Sequence, residues 1–331
     1  MLEDQRRGTG GKRRTTGTFL SLGQAARGVV LAMPKQNTTV YDRLIEAAGS
    51  LGDAGPDVTF QHSVLCQTCL PYRDPGDDVR TWERLNGSAH LEIIAGKAMH
   101  PELRRFVPLG LPFGPKPRMV LAHINTEALR SNAPEIEIEA TLTAFVKRLG
   151  LADQGRNMRT IKDQLARLSA ATVRMGFVRD GRATTVNSQI VSSFELWPST
   201  DDRQKVLWPS TLRLSLDYFA SLQAHAVPLD ERAVAALSHS AMALDLYSWL
   251  AQRLHRIPKP HRQFIPWPAV QDQFGADYAR LRKFREVFMT ALRQVHAVYP
   301  AMKIDINGQG LFLYTSPPPV AKTGVIVRLP G

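Results

Sequence analysis

The chain is poor in cysteine and has no long apolar run. Two cysteines in 331 residues cannot cross-link a fold of this size, so apolar cores must stabilise it. The longest apolar stretch, Gly28–Met33, is far shorter than the roughly 18 residues of a membrane-crossing helix. No apolar segment of adequate length follows the basic start, so a secretory leader is not expected. These absences exclude a disulfide scaffold and a membrane span, and they predict a cytoplasmic protein.

Sequence motifs of common enzyme classes are also missing. A phosphate-binding Walker A loop needs G-x-x-x-x-G-K-[ST]. The Gly-Lys pairs at residues 11–12 and 96–97 lack the final hydroxyl residue. The sequence contains no H-E-x-x-H, no G-x-S-x-G and no histidine cluster of the kind that metal-dependent nicking enzymes use. We therefore expect a protein that is not an enzyme and that uses no cofactor.

The two cysteines form a single C-x-x-C, Cys66 and Cys69. A structural zinc site needs four ligands, and the only candidates for the others are His62 with His90 or His100. A zinc site and a redox pair stay open as alternatives. Two ordinary buried cysteines are the favoured interpretation, with no metal bound.

Acidic residues are too few to balance the basic ones. Lys and Arg number 42 against 30 Asp and Glu, a formal net charge of +12. The corresponding pI of about 10.0 is typical of proteins that bind nucleic acid. A basic but merely solvated surface is the alternative.

Residues 1–56 differ from the remainder of the chain. Residues 1–18 carry five basic side chains without apolar periodicity, which predicts a disordered arm that either follows a DNA backbone or only aids solubility. Residues 39–51 fit one short amphipathic helix, and residues 49–56 fit a linker.

The next part of the chain predicts a hairpin and then a helix-turn-helix. Asn86-Gly87 lies between two β-compatible runs, residues 82–94. Helix, short strand, helix, turn, helix and hairpin then follow, at residues 118–130, 135–139, 140–149, 151–155, 157–171 and 173–196. This order is that of a winged helix, whose third helix enters the major groove.

The same order recurs downstream. A long helix, a short strand, a second helix, a third helix and a hairpin are predicted at residues 230–256, 263–265, 268–274, 277–298 and 303–314. The predicted fold class is therefore α+β, with two tandem winged-helix domains behind a disordered basic N-terminal arm. The predicted boundaries are 57–205 and 206–318, with a tail at 319–331.

Basic residues lie opposite the apolar stripe of both predicted third helices. DNA contacts are predicted in the first unit for Arg156, Arg159, Thr160, Lys162 and Arg167, with Arg179 and Arg182 at the wing tip. In the second unit they are predicted for Arg280, Arg282, Lys283, Arg285 and Arg293, with Lys303 at the base of the wing. Ordinary solvated helix faces are the alternative.

Four segments carry a family resemblance: LPFGPKPR at 111–118, HINTEA at 123–128, LTAFVKRLG at 142–150 and KDQLARLSAA at 162–171. Together they resemble the plasmid-encoded RepA-type replication initiators, over about residues 60–315. The arm before residue 57 matches no pattern of that family.

The resemblance implies a protein that binds repeated sites, called iterons, in double-stranded DNA at a plasmid origin. Such proteins help to open A·T-rich DNA and recruit the host initiator and helicase machinery, and they bind iterons as monomers or repress their own gene as homodimers. A winged-helix transcriptional repressor without a replication role is the first alternative. A plasmid nicking enzyme is the second.

Overall fold

The computed structural model describes residues 38–50, 57–100, 103–137, 142–151, 154–179, 181–193, 211–275 and 277–321. These ranges contain ten α-helices and fourteen strands in five small sheets. The predicted short helix is confirmed as α1 (Thr38–Ser50). The predicted disordered arm before it and most of the C-terminal tail lie outside the described residues.

The described residues between 57 and 108 form a strand, a short helix and two hairpins. Strand β1 (Val58–His62) runs into helix α2 (Ser63–Gln67). The Asn86-Gly87 hairpin is confirmed, with Gly87 at a φ of 57° in its turn. Its strands are β2 (Thr81–Asn86) and β3 (Ala89–Ile94), and a second hairpin follows with strands β4 (Lys97–His100) and β5 (Arg105–Pro108).

The predicted element order of the first unit is confirmed. Its members are α3 (Pro115–Ser131), β6 (Glu135–Glu137), α4 (Leu142–Arg148), α5 (Gly155–Ala170), β7 (Thr172–Arg179), β8 (Arg182–Gln189) and β9 (Val191–Ser193). The β7–β8 hairpin extends the β2–β3 hairpin into one sheet, in the order β2-β3-β7-β8. Strand β6 pairs instead with a strand from later in the chain, β10 (Thr211–Leu214), which also pairs with β9.

The second unit follows its predicted order except at its start. Its members are α6 (Leu216–His225), β11 (Ala226–Asp230), α7 (Glu231–Ala236), α8 (Ala241–Arg253), a 3-10 turn (Leu254–Arg256), β12 (Arg262–Pro266), α9 (Trp267–Phe274), α10 (Leu281–Val298), β13 (Ile304–Ile306) and β14 (Gly310–Tyr314). The last three strands form a sheet in the order β12-β14-β13.

The predicted single helix at 230–256 is wrong, because local capping divides that segment into α7 and α8. The Asp230 side chain accepts a hydrogen bond from the Arg232 N–H and begins α7. The Ser240 hydroxyl accepts from the Ala243 N–H and begins α8. Side chains of this kind satisfy the unpaired N–H groups of a first helical turn, so two caps ten residues apart favour two helices.

The two units share one hydrophobic core. Buried side chains form a continuous cluster that extends from Leu44 in α1 to Leu313 in β14. Strand β1 pairs with β11 along its whole length, from Val58 opposite Asp230 to His62 opposite Ala226. The division at residue 205 stays a prediction, and the tandem winged-helix assignment stays one as well.

Candidate nucleic-acid interface

Helix α5 presents an apolar face to the core and a basic face outward. Ile161, Leu165 and Leu168 are buried at helical spacing. Arg156 and Arg159, in the first two turns, are exposed. The helix therefore has the distribution expected of a helix that contacts DNA.

Three other predicted residues of α5 have different surroundings. Thr160 is half-buried and its hydroxyl donates to the Arg156 carbonyl over 2.9 Å. Lys162 is half-buried on the flank of the helix. Arg167, which was predicted to face DNA, lies against the protein and is only 15% exposed.

The inward position of Arg167 follows from the connector that precedes α3. The Phe113 N–H donates to Gln164 Oε1 over 2.7 Å, which holds the connector along α5. The Arg167 guanidinium lies 5.2 Å from the Phe113 ring centre, and its Nε is 3.0 Å from Asp163. Arg167 Nη1 donates to the Leu111 carbonyl over 3.4 Å. These contacts draw the side chain away from the open face of α5.

The β7–β8 hairpin of the first unit turns at the predicted position. Arg179 and Arg182 are backbone partners at the last rung of the β7–β8 ladder, and Gly181 between them has a φ of 72°. A turn with positive φ at this position favours glycine.

Helix α10 carries four Lys and Arg residues and one carboxylate, as α5 does. Its buried face consists of Phe284, Phe288, Leu292 and Val295. On the opposite side the Arg282 and Lys283 side chains are 93% and 67% exposed. Arg293, about three turns further along, is exposed as well.

A single carboxylate, that of Glu286, lies among these cations. It is 3.5 Å from Arg282 Nε and 3.3 Å from Lys283 Nζ, and it is itself half exposed. Exposed ion pairs of this kind contribute little, so a phosphate can replace Glu286 as the partner at small cost.

The remaining predicted residues of the second unit lie around the start of α10 and just before the β13–β14 hairpin. Arg280 is exposed and is the N-cap of α10 rather than a helical residue, because the helix begins at Leu281. The Arg285 guanidinium lies 4.6 Å from the Trp267 ring centre. Lys303 is exposed just before β13.

A buried ion pair joins the two units. Arg118 of α3 and Asp245 of α8 make two hydrogen bonds of 2.7 Å, Nε to Oδ1 and Nη2 to Oδ2. Their side chains are 6% and 8% exposed. The same guanidinium donates to the carbonyls of Leu70 and Gly114, over 2.8 and 2.6 Å. Sequence reasoning missed this pair, because the two residues lie 127 positions apart.

The cysteine pair is buried, as predicted. Cys66 and Cys69 are 1% and 3% exposed. Burial raises the pKa of both thiols, that of Cys69 to about 11, so both stay protonated at neutral pH. Cys69 Sγ donates to the Gln273 carbonyl over 3.3 Å. Within the described ranges, no group of three or more His, Cys, Asp or Glu could hold a metal ion.

His62 and Ser221 form a buried hydrogen-bonded pair. His62 Nδ1 accepts from the Val64 N–H over 3.2 Å, and Nε2 lies 3.0 Å from the Ser221 hydroxyl. Burial, assisted by His225, lowers the His62 pKa to about 3, so the ring is neutral. Because Nδ1 is an acceptor, the proton is on Nε2 and is donated to Ser221. The pair is thus arranged for structure and not for proton abstraction from the hydroxyl.

The low pKa of His62 predicts sensitivity to acid. An unfolded histidine takes up a proton near pH 6.5, whereas folded His62 does so only near pH 3. The unfolded state binds more protons between these values, so stability is lost as the pH falls, by about 1.4 kcal/mol per pH unit. The free energy of unfolding is measured with urea at pH 7, 6 and 5. Between pH 7 and pH 5 it should fall by about 2 kcal/mol less in His62→Gln than in the parent.

The control for this measurement is His261→Gln, which removes an exposed imidazole. Its free energy of unfolding should change with pH as that of the parent does. Equal pH dependence for His62→Gln and the parent would contradict the assignment of the titrating group.

The comparison with protein families confirms the resemblance. Residues 111–268 match the family model described as plasmid encoded RepA protein. The match begins in the connector before α3, includes α5 and both strands of the β7–β8 hairpin, and ends in the first turn of α9.

Two solved structures show partial similarity to this chain. One is a crystal structure of SeMet derivatives of domain 2 and domain 3 of RctB, with a TM-score of 0.49 and 11% identity, over 76% of this chain and 96% of that one. The other is a crystal structure of the RctB domains 2-3, with a TM-score of 0.46 and 11% identity, over 76% and 94%. No curated protein matches the chain. None of the described helices is long and apolar enough to cross a membrane.

Proposed function

We propose that this chain is a plasmid replication initiator that binds iterons in double-stranded origin DNA, promotes opening of the origin and recruits host replication proteins. The observation that carries the proposal is the family match over residues 111–268, because that stretch contains the basic helix α5. The net charge of +12 supports a polyanionic partner. The site of action is the cytoplasm, where plasmid DNA resides.

In this proposal α5 and α10 are the two recognition helices of tandem winged-helix units. Each follows a helix, a strand and a second helix, and each precedes a β-hairpin. Arg156, Arg159 and Arg282 have the exposure that a bidentate contact with guanine requires. Lys283 and Arg293 extend the same face of α10.

Other predicted residues act on the phosphate backbone. Arg280 and Arg285 surround the start of α10, and Lys303 lies at the base of its wing. Arg179 and Arg182 occupy the tip of the first wing. Contacts of this type fix the register of the protein on DNA without reading sequence.

We further propose a protein without a catalytic step. Two unequal recognition helices in one chain favour an initiator over a simple repressor, which needs only one per protomer. Host initiator and helicase proteins would be the partners on DNA, and a homodimer would be the form that represses the gene.

Footprinting on the DNA that flanks the gene tests this proposal. We expect protection of several direct repeats, each with two contacted segments about 10 base pairs apart, one for each recognition helix. A single palindromic site would favour the repressor instead. Nicking of supercoiled DNA in the presence of Mg²⁺ would favour the nicking enzyme.

A further inference from the structure

The β4–β5 hairpin is fixed at its base and extends from the last turn of α5. The Arg80 guanidinium binds the carbonyls of Ala95, Gly96 and Leu109, over 2.8, 3.1 and 2.8 Å, and the Leu109 N–H donates to the Gly96 carbonyl. A Cβ at Gly96 would lie 1.7 Å from the Ala170 carbonyl oxygen at the end of α5. A lone two-stranded hairpin is only marginally stable in water. These contacts therefore stabilise the β4–β5 hairpin and fix its orientation relative to α5.

This hairpin exposes large apolar side chains. Met99 and Phe106 are cross-strand partners, 52% and 65% exposed. Leu103, in the turn, is 52% exposed. Single exposed apolar residues are common, but three on one small hairpin indicate a surface that meets a partner.

Basic side chains lie next to the exposed apolar ones on this hairpin. Lys97, Arg104 and Arg105 are all exposed, and the only carboxylate in residues 97–108 is Glu102. Among the side chains that the structure describes, no carboxylate lies within ion-pair distance of these three. The partner that this pattern complements is therefore strongly anionic.

The turn holds Arg104 in an unusual backbone conformation. Its φ is 49°, in the left-handed region that residues other than glycine rarely adopt. The Arg104 N–H donates to the His100 carbonyl, and the Leu103 N–H donates to His100 Nδ1. Strained residues of this kind are more often found at functional positions than elsewhere.

We propose that the hairpin at residues 97–108 is a DNA arm that enters the minor groove beside the major-groove site of α5, with Phe106 and Met99 placed against a base step. Proteins that enter the minor groove combine basic side chains with inserted apolar wedges that unstack and kink the duplex. The inference rests on the proposed function, and it assigns the unstacking of origin DNA to a specific element.

The position of the hairpin suits this role. The hairpin base lies eleven residues beyond Arg159, which is about 17 Å along α5. One turn of B-DNA is about 34 Å, so a major-groove contact by Arg159 and a minor-groove contact by the hairpin fit within one turn. A second copy of the chain is a poorer partner, because its own Lys97, Arg104 and Arg105 would then face the same three cations of the first copy.

The test uses the full chain on a supercoiled plasmid that carries the DNA flanking the gene. Permanganate oxidises unstacked thymines, and footprinting on the same samples reports binding. The double variant Met99→Ala with Phe106→Ala should keep the footprint, with affinity within about threefold, and lose most permanganate reactivity, at least about fivefold. Leu85→Ala is the control, because it removes a similarly exposed apolar residue from β2. It should change neither the footprint nor the permanganate reactivity.

Arg104→Gly removes the charge without disturbing the turn, because glycine adopts the positive φ of this position more readily than arginine does. It should weaken binding to all sequences by about three- to tenfold and reduce the slope of log affinity against log salt by about 1. Unchanged affinity would contradict a phosphate contact by this residue.

The outcomes separate the two proposals. If the parent gives no footprint, the proposed function fails. If the footprint is intact but thymines are unreactive in the parent, or equally reactive in the double variant, the hairpin inference alone is overturned. A double variant that changes from dimer to monomer in sedimentation, with unchanged reactivity, would assign the hairpin to self-association and overturn the inference as well.

Discussion

Replacing Asp245 by alanine is expected to lower the free energy of unfolding by about 3–5 kcal/mol, because the Arg118 guanidinium would stay buried without its carboxylate. Both side chains are almost fully buried, and the pair joins α3 to α8. Total stabilities of about 5–15 kcal/mol are typical, so this loss would leave a marginal fold. Urea unfolding followed by circular dichroism measures it.

Two further variants separate this effect from a general loss of charge. Glu127→Ala removes a partly exposed carboxylate whose partners are Arg130 and Arg148, and it should cost less than about 1 kcal/mol. Arg118→Met with Asp245→Leu removes both buried charges, and it should be clearly more stable than Asp245→Ala. A cost below about 1 kcal/mol for Asp245→Ala would show that the pair does not hold the units together.

Replacing both Arg159 and Arg282 by alanine is expected to weaken binding to the footprinted site by about 2–6 kcal/mol, the sum of about 1–3 kcal/mol for each. The residues lie on different helices, and separated substitutions are usually additive. Binding to random duplex should fall much less, because phosphate contacts supply most of that affinity. Fluorescence anisotropy with the single and double variants measures these losses.

Arg174→Ala is the matched control, because Arg174 is a half-exposed arginine on β7 that is paired with Glu92 and Asn187. It should leave specific binding nearly unchanged. The model of two recognition helices fails if either single variant weakens specific and random binding equally. It also fails if both variants relax the same base pairs.

Local periodicity predicted most of the elements around the candidate interface. The apolar spacing of Phe284, Phe288 and Leu292 was sufficient to predict α10. Asn86-Gly87 was sufficient to predict the β2–β3 hairpin. The break between α7 and α8 was missed because the apolar repeat continues through it, and only the caps at Asp230 and Ser240 reveal it.

Long-range contacts account for what the sequence did not predict. Arg167 has the spacing of an exposed residue on α5, but the connector at residues 109–113 covers it. No local pattern marks the partner of β1 or the pairing of β6 with β10. Such contacts depend on chain segments far apart, which single-sequence patterns do not report.

The pairing of β1 with β11 has a consequence for the newly made chain. More than 160 residues separate His62 from its partner Ala226. At about 5–20 residues per second, a ribosome needs about 10–30 s to synthesise that interval. During this time β1 exposes an unpaired edge, which is a template for pairing with other chains. A fragment that ends at residue 205 would retain that edge permanently, so we expect it to aggregate where the full chain does not.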